Sequence, residues 1–292
     1  MSEVNRCDKI NPVKVTCDST CDLGIDIYNK YNVTVTPLWI NIGDKQYKDM
    51  LNISPEQLFE SVEQTGVLPK TAAVNQEEYY NTFKSFTDKG YDIVHINISS
   101  DMSACNQNAN AAAKEIGDDR VFVVDSLNLS TGSGHLVVLA AELAKEGKSA
   151  AEIKQILDEK RRKLEVSFVI QTLEYLHKGG RCSAVAALGA NLLKLRPCIE
   201  VIDGKMDVGK KYRGNMQKVL EQYVADRLKG RDDIDTKRIF ITHTGVDNEI
   251  IAKLKKLILS YQKFGEMIDT VAGGTISSHC GKGTLGILFF RK

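Results

Sequence analysis

The hydrophobic pattern of the first half of the chain alternates short apolar runs with amphipathic segments. Apolar and β-branched residues are concentrated in four runs, which predict strands at 14–18, 33–40, 92–98 and 121–124. The last two runs are almost continuously apolar, which is typical of parallel strands buried on both faces. Because helical patterns separate the runs, the alternation predicts an α/β domain with a Rossmann-like parallel sheet.

Three of the predicted helices begin with a capping box, in which a Ser or Asn cap stands three residues before Glu or Gln. The pairs are Ser54 with Gln57, Asn75 with Glu78, and Ser149 with Glu152. A proline follows the first cap directly, and this is the first helical position, where proline is favoured. These signals predict where the helices start.

From about residue 166 the pattern becomes less regular, and a turn at 203–205 (Asp-Gly-Lys) is typical of a hairpin. We predict strands at 166–173, 198–203, 238–243 and 285–290, and helices near 215–229 and 247–264. These elements predict an α+β domain with a mixed or antiparallel sheet. We therefore expect an N-terminal α/β domain at 12–165 and a C-terminal α+β domain at 166–292.

The charge balance and the lengths of the apolar runs argue against several classes of protein. The chain has 39 basic and 38 acidic residues, so its net charge of +1 gives no support for nucleic-acid binding. No run approaches the roughly 18 apolar residues of a membrane span, and the first twelve residues lack the apolar core of a secretory signal. We expect a cytoplasmic protein without an integral membrane segment.

The seven cysteines predict free thiols, because their number is odd and they are spread over the whole chain. Cys17 and Cys21 form the one close pair, and no second pair with zinc-ligand spacing accompanies them. The glycine pattern at 281–286 matches GxGxxG, but it precedes an apolar run at the end of the chain instead of opening a helix. The sequence therefore predicts neither a metal nor a cofactor.

Small polar residues follow several of the predicted strands. They are Asp18 to Thr20, Ser99 and Ser100, Asp125 and Ser126, and His243 and Thr244. Ligands of open parallel sheets bind at the carboxyl ends of the strands, where helix N-termini favour anions. The pattern as a whole favours a ligand-binding edge, although each residue taken alone is better explained as a helix cap.

Two further polar residues stand in glycine-containing turns, where the backbone allows close approach. His279 lies in GGTISSHCGKGTLG, and Arg181 lies in HKGGRCS. Together with a serine, they suit either an acyl-transfer site or a preorganised site for a carboxylate. The residues alone leave both interpretations open.

Seven segments closely resemble the DegV family, in the same order and over nearly the whole chain. They are VTCDSTCDL, YKDMLNISPEQLF, LPKTAAVNQEEY, INISSDMSACNQNA, VDSLNLSTGSGHLVVLAAELAKEGKS, LEYLHKGGRCS and ISSHCGKGTLGI. The resemblance implies a bacterial protein that binds one long-chain fatty acid between two domains. Such a protein is a lipid carrier and not an enzyme. It presents the fatty acid to a separate fatty acid kinase, and the acyl phosphate then enters phospholipid metabolism.

The resemblance also assigns roles to individual residues. It places Thr71, Ser99 and Ser100 at the fatty-acid carboxylate. Arg181 and His279 match the arginine and histidine of the hydrogen-bond network behind that group. The leading alternative is a hydrolase or acyltransferase that uses Ser100 and His279, and a further alternative is a sensor of small anions.

Outside the carboxylate site, Arg213 matches a basic surface position linked to docking of the kinase. The small residues at 185–193 are candidate walls of the acyl tunnel or, equally, of an ordinary helix contact. Two departures from the family pattern affect the geometry of the site. The chain has Thr-Ala-Ala-Val-Asn at 71–75 where the family has Thr-Ser-Gln-Pro-Ser, and Ser-Ala-Cys at 103–105 where it has Ser-Gly-Thr.

Overall fold

A computed structural model describes residues 11–117, 119–186 and 195–292, which form three sheets with helices packed around them. The strands of the first sheet are β1 (Val13–Asp18), β2 (Thr34–Thr36), β6 (Asp92–Asn97) and β7 (Val121–Asp125). They are all parallel and lie in the order β2-β1-β6-β7. The Rossmann-like parallel sheet that the apolar runs predict is therefore confirmed.

Six α-helices belong to this half of the described chain, and three of them start where the caps predict. The six are α1 (Ile25–Lys30), α2 (Pro55–Thr65), α3 (Gln76–Thr87), α4 (Cys105–Ile116), α5 (Ser130–Lys145) and α6 (Ala150–Lys160). All three predicted capping boxes form, at the first residues of α2, α3 and α6. In each, the side chain of the cap accepts the backbone N–H of the third helical residue. The side chain of that third residue in turn accepts the backbone N–H of the cap.

The predicted strand at 33–40 is wrong in one respect, because it is two strands in two different sheets. The chain leaves the parallel sheet after Thr36 and pairs again from Trp39. Pro37 lies between them, and proline has no N–H to donate to a strand ladder. The second sheet is antiparallel and consists of β3 (Trp39–Ile42), β4 (Lys45–Lys48) and β5 (Lys70–Ala72), with β3 in the centre.

The third sheet is mixed, as the second half of the sequence predicts. Its strands are β8 (Leu164–Val169), β9 (Leu195–Ile202), β10 (Lys205–Arg213), β11 (Ile234–His243), β12 (Glu266–Val271) and β13 (Leu285–Arg291). They lie in the order β10-β9-β8-β13-β11-β12, and only β11 and β12 are parallel. The β9–β10 hairpin turns at Asp203 and Gly204, whose φ angles of 46° and 86° are those of a primed turn.

The remaining helices pack against the mixed sheet or close the space between the sheets. They are α7 (Glu174–Gly179), α8 (Ser183–Ala186), α9 (Met216–Leu228), α10 (Asn248–Tyr261) and α11 (Gly274–Cys280). One hydrophobic core joins Ile98 and Leu129 of the N-terminal half to Phe168, Ile199 and Ile276 of the C-terminal half. Helix α5 also contacts strands of both the parallel and the mixed sheet. The two halves therefore share a continuous apolar interior.

Three predictions need comment at the level of the fold. The boundary after residue 165 falls inside β8, which begins at Leu164, and the division at 12–165 and 166–292 stays a prediction. The strand predicted at 166–173 ends earlier, at Val169, and the chain then turns toward α7. Of the proposed tunnel wall at 185–193, all but the first two residues lie outside the described residues, as do the first ten residues of the chain, with Cys7.

Candidate functional site

A cavity of about 530 Å³ lies where the N-terminal half meets α7, α11 and β10. Its walls are mostly apolar and include Leu38, Ile98, Met102, Leu129, Leu176 and Ile276. The polar side chains that line it are few: Thr71, Ser103, Arg181, Thr275 and His279. An apolar cavity with a small number of convergent polar groups is the usual form of a small-molecule site.

A second space of about 330 Å³ adjoins this cavity and shares Leu129, Ile276 and Cys280 with it. Several threonines line it, but their hydroxyl groups are bonded within the protein. Thr244 donates to the carbonyl of Gly281 at 2.6 Å, and Thr284 donates to that of Cys280 at 2.9 Å. The surface left facing this space is therefore apolar, and the two apolar spaces are separated by side chains that line both of them.

The polar end of the cavity is built around a hydrogen bond between Thr71 Oγ1 and His279 Nε2, 2.8 Å long. Thr71 lies on β5 opposite Ile40 of β3, so the small antiparallel sheet sets its position. Burial, and secondarily the charge of Arg181, lower the pKa of His279 to about 4. The imidazole is therefore neutral at pH 7, and its Nδ1 atom has no hydrogen-bond partner among the residues that the structure describes.

The helix that carries His279 is held at its other end by two buried aspartate side chains of the N-terminal half. Asp22 accepts the N–H of Gly273 at 2.8 Å, and Asp49 accepts the N–H groups of Gly274 and Thr275 at 2.8 and 3.1 Å. Burial raises the pKa of Asp22 to about 8, with a further contribution from the charge of Asp49. These contacts satisfy N–H groups that the first turn of α11 leaves free.

Sequence reasoning missed these two aspartates as positioning residues. Both lie in segments that carry the family resemblance, Asp22 in VTCDSTCDL and Asp49 in YKDMLNISPEQLF. Each is a charged residue within a partly apolar segment, and each is almost completely buried. Charged residues are seldom buried without a partner, so this pattern could have marked them.

The Gly-Gly-Arg turn after α7 has a clear local reason. A Cβ atom on Gly179 would stand 2.4 Å from His279 Nδ1, so only glycine lets the backbone pass so close to the imidazole. Gly180 has φ 69°, in the left-handed region that ends the helix. Arg181 then donates to the carbonyl of Gly179 at 2.7 Å, while its side chain stays exposed at the cavity.

Ser99 and Ser100 do not reach this cavity, contrary to the expectation. The buried Ser99 donates to the carbonyl of Gly204 at 2.7 Å. The exposed Ser100 donates to the Asp125 carboxylate at the end of the neighbouring strand β7, at 2.6 Å. The strand-end hydroxyls are thus used within the protein, and Ser100 forms no pair with His279 of the kind that the hydrolase alternative needs.

The serine that does reach the cavity is Ser103, three residues further along. Its Oγ accepts the N–H of Cys105 at 3.3 Å, in the first turn of α4. The hydroxyl therefore lies at a helix N-terminus, where backbone N–H groups favour negative charge. Its position in the segment 99–103 (SSDMS), just before a helix, is the signal that could have marked it, and the assignment of Ser99 and Ser100 to the carboxylate stays a prediction.

Other predicted features lie away from the cavity. Arg213 is exposed at the end of β10, opposite Leu195 of β9, and does not line it. Within the described residues, six cysteines are free and buried, and no group of three potential metal ligands occurs. No helix in the described part of the chain is long and apolar enough to cross a membrane.

Comparison with known proteins gives consistent matches over nearly the whole chain. The model of the DegV family, described as uncharacterised proteins, matches residues 12–292. A DegV domain-containing protein of Clostridium acetobutylicum is 33% identical over 280 residues, covering 96% of this chain and 99% of its own. The match therefore extends over nearly the whole of both chains.

Solved structures of similar proteins share the fold. A Thermus thermophilus DegV family protein, described by its fatty acid binding, has a TM-score of 0.86 and 29% identity, covering 96% of this chain and 100% of its own. A DegV lipid-binding protein of Thermotoga maritima has a TM-score of 0.82 and 25% identity, covering 96% and 98%. The family match and these two folds lead to one conclusion: the chain belongs to the DegV family.

Proposed function

We propose that the protein binds one long-chain fatty acid, with its carboxylate beside Thr71 and His279 and its acyl chain along the adjoining apolar spaces. The observation that carries this proposal is the pair of adjoining apolar spaces, one of which has the hydrogen-bonded Thr71 and His279 at its polar end. The fatty-acid and lipid binding described for the structural relatives supports the same ligand class.

The apolar walls supply the main favourable term. Burial of a methylene group gives about 0.8 kcal/mol, so some fifteen methylenes give roughly 12 kcal/mol before costs. Loss of ligand freedom and ordering of side chains remove several kcal/mol of this. The remainder suffices for tight binding of a single acyl chain.

The carboxylate needs hydrogen bonds, because a buried unpaired charge is strongly unfavourable. Since Nδ1 of His279 has no partner, the neutral tautomer with its proton on Nε2 leaves no N–H unsatisfied. We assign this tautomer, in which Nε2 donates to Thr71 Oγ1. The Thr71 hydroxyl proton is then free to donate to the carboxylate, and Ser103 and Arg181 complete the set of donors from the opposite walls.

We further propose that the protein presents the bound carboxylate to a separate fatty acid kinase and is not itself the catalyst. Arg181 is exposed, so the carboxylate end is the end of the cavity nearest to a partner. We propose that Arg213, which is exposed and which the family resemblance links to docking, contacts that kinase. In this proposal the protein works in the cytoplasm and supplies an acyl group for phospholipid metabolism.

Binding and turnover distinguish this function from the hydrolase alternative. We expect delipidated protein to bind stearic acid with a stoichiometry of one per chain in calorimetry, and to leave a p-nitrophenyl acyl ester intact. Turnover of the ester that disappears in Ser100→Ala would contradict the carrier function. Failure to bind any of a series of saturated and unsaturated fatty acids would contradict the ligand class.

A further inference from the structure

A second, larger cleft of about 1000 Å³ opens on the other side of β8, where β8 and β9 separate. The ladder between these strands ends at the pair Ser167–Glu200, although β8 begins at Leu164 and β9 ends at Ile202. The strand ends that diverge form one wall of the cleft. It shares no lining residue with the two apolar spaces, so it is a separate site.

The cleft contains more positive than negative side chains. Five arginines line it, from the end of α6 through α9 to β13: Arg161, Arg162, Arg227, Arg231 and Arg291. Three acidic residues line it as well: Glu165, Glu200 and Asp203. Two further carboxylates outside the lining pair with these arginines, Asp158 with Arg161 at 3.3 Å and Asp233 with Arg231 at 2.7 Å. In a chain whose net charge is +1, the five arginines are a local concentration of guanidinium groups.

The arginines differ in how fully the protein already uses them. Arg231 is paired with Glu165 at 2.6 Å and with Asp233 at 2.7 Å. Arg227 is paired with Glu200. These two guanidinium groups are therefore held in place by carboxylates and form a fixed wall.

Arg162 and Arg291 form weaker contacts within the protein than Arg227 and Arg231 do. Arg162 pairs only with Asp203 at 3.2 Å, and both side chains are largely exposed, so the pair contributes little. Arg291 donates to the carbonyl of Arg162 at 3.3 Å and forms no salt bridge within the described residues. Both guanidinium groups are thus available to a ligand.

Two other lining residues have unused hydrogen-bonding capacity. Asn128 Oδ1 and Arg161 Nε are buried and have no hydrogen-bond partner within the described residues. Buried polar atoms are usually satisfied, so each exception calls for an explanation. The apolar part of the lining includes Leu127, Val201 and Ile202, of which Ile202 is 54% exposed.

We infer that this cleft binds a small molecule that carries a phosphate group and an apolar part. The guanidinium fork matches phosphate oxygens in pairs, and two of the five lining arginines are held only weakly by the protein. Arg162 and Arg291 contact the phosphate, and the apolar part covers the exposed face of Ile202. The inference does not depend on the identity of the ligand in the other cavity.

Phenyl phosphate is a suitable probe, because it combines a phosphate dianion with one apolar ring. We expect the full-length protein to bind it saturably in calorimetry at low salt, more tightly than inorganic phosphate and more tightly than benzoate. The double variant Arg162→Gln/Arg291→Gln should weaken this binding at least tenfold. The matched control Lys253→Gln/Lys256→Gln removes two exposed charges from α10 and should leave it within twofold.

Each other outcome overturns the inference. Absence of saturable binding to the wild type means that the cleft is not a phosphate site. Equal weakening by both double variants means that only net charge matters, and equal affinity for benzoate means that phosphate is not the recognised group. Thermal unfolding and stearic acid binding of the Arg162→Gln/Arg291→Gln protein verify that it remains folded, so a loss of binding is not a loss of structure.

Discussion

Two hydroxyl groups of the N-terminal half have opposite surroundings. Thr71 is bonded to His279, a buried imidazole that is neutral because its pKa lies near 4. Ser100 is bonded on the surface to Asp125, which is a carboxylate. The neutral imidazole of His279 does not repel an anionic ligand, whereas the carboxylate of Asp125 does. The difference shows that the partner of a hydroxyl, and not the hydroxyl itself, decides where an anionic group binds.

The neutrality of His279 leads to the largest expected effect. Its pKa is about 4 in the folded protein against about 6.5 when unfolded, so between these values the unfolded state binds more protons. The contribution of His279 to the free energy of unfolding should therefore fall by about 3 kcal/mol as the pH drops from 6.5 to 4, while Asp22, with its pKa raised to about 8, contributes with the opposite sign over this range. Urea unfolding at several pH values measures this, and His279→Gln should reduce the slope. If the free energy of unfolding depended on pH in the same way in His279→Gln as in the wild type, His279 would not be a buried neutral group.

Exchange of the two hydroxyls tests the comparison itself. Thr71→Val removes a donor to the carboxylate and should weaken stearic acid binding by about 2 kcal/mol, roughly thirtyfold. Ser100→Ala is the matched control and should change the affinity less than twofold. Calorimetry with both variants measures the difference. A larger loss in Ser100→Ala than in Thr71→Val would reverse the assignment.

The aspartate side chains that hold α11 should have a smaller effect, through the position of His279. Asp49→Asn keeps the shape but removes a negative charge from the first turn, which should lower the free energy of unfolding by about 1.5 kcal/mol. The exposed Asp44→Asn is the control. We expect the imidazole ¹⁵N shifts of His279 to change only in Asp49→Asn, and unchanged shifts would exclude the positioning role.

Arg181 should give the smallest change, because its side chain is exposed. Arg181→Gln should weaken stearic acid binding by about 1 kcal/mol, roughly fivefold, and the difference should shrink as salt screens the charge. Calorimetric titrations at about 20 mM and about 500 mM sodium chloride measure how the loss of affinity depends on salt. A loss that does not depend on salt would mean that Arg181 acts by packing and not by charge.

Features encoded in neighbouring residues could be predicted from the sequence. The apolar runs of β6 and β7 predict the parallel sheet, and the capping boxes predict three helix starts, because each depends on local contacts. The split at Pro37 was missed, since the runs on either side of it have the same composition. The small sheet it creates is the one that carries Thr71.

The site itself depends on contacts between distant residues, and periodicity gives no information on these. Thr71 and His279 are separated by 208 positions, and only the family resemblance brought them together in advance. The choice between Ser100 and Ser103 depends on the path of a short loop between β6 and α4. Ser100 lies at the surface, whereas Ser103, three residues further along that loop, lines the cavity.

The central claim is that the cavity holds one fatty acid, and native mass spectrometry of freshly purified protein tests it most directly. We predict an added mass of one long-chain fatty acid per chain, which an organic extract identifies and which Thr71→Val largely loses. Protein that carries no such mass, and that takes up no added stearic acid after delipidation, would contradict the account.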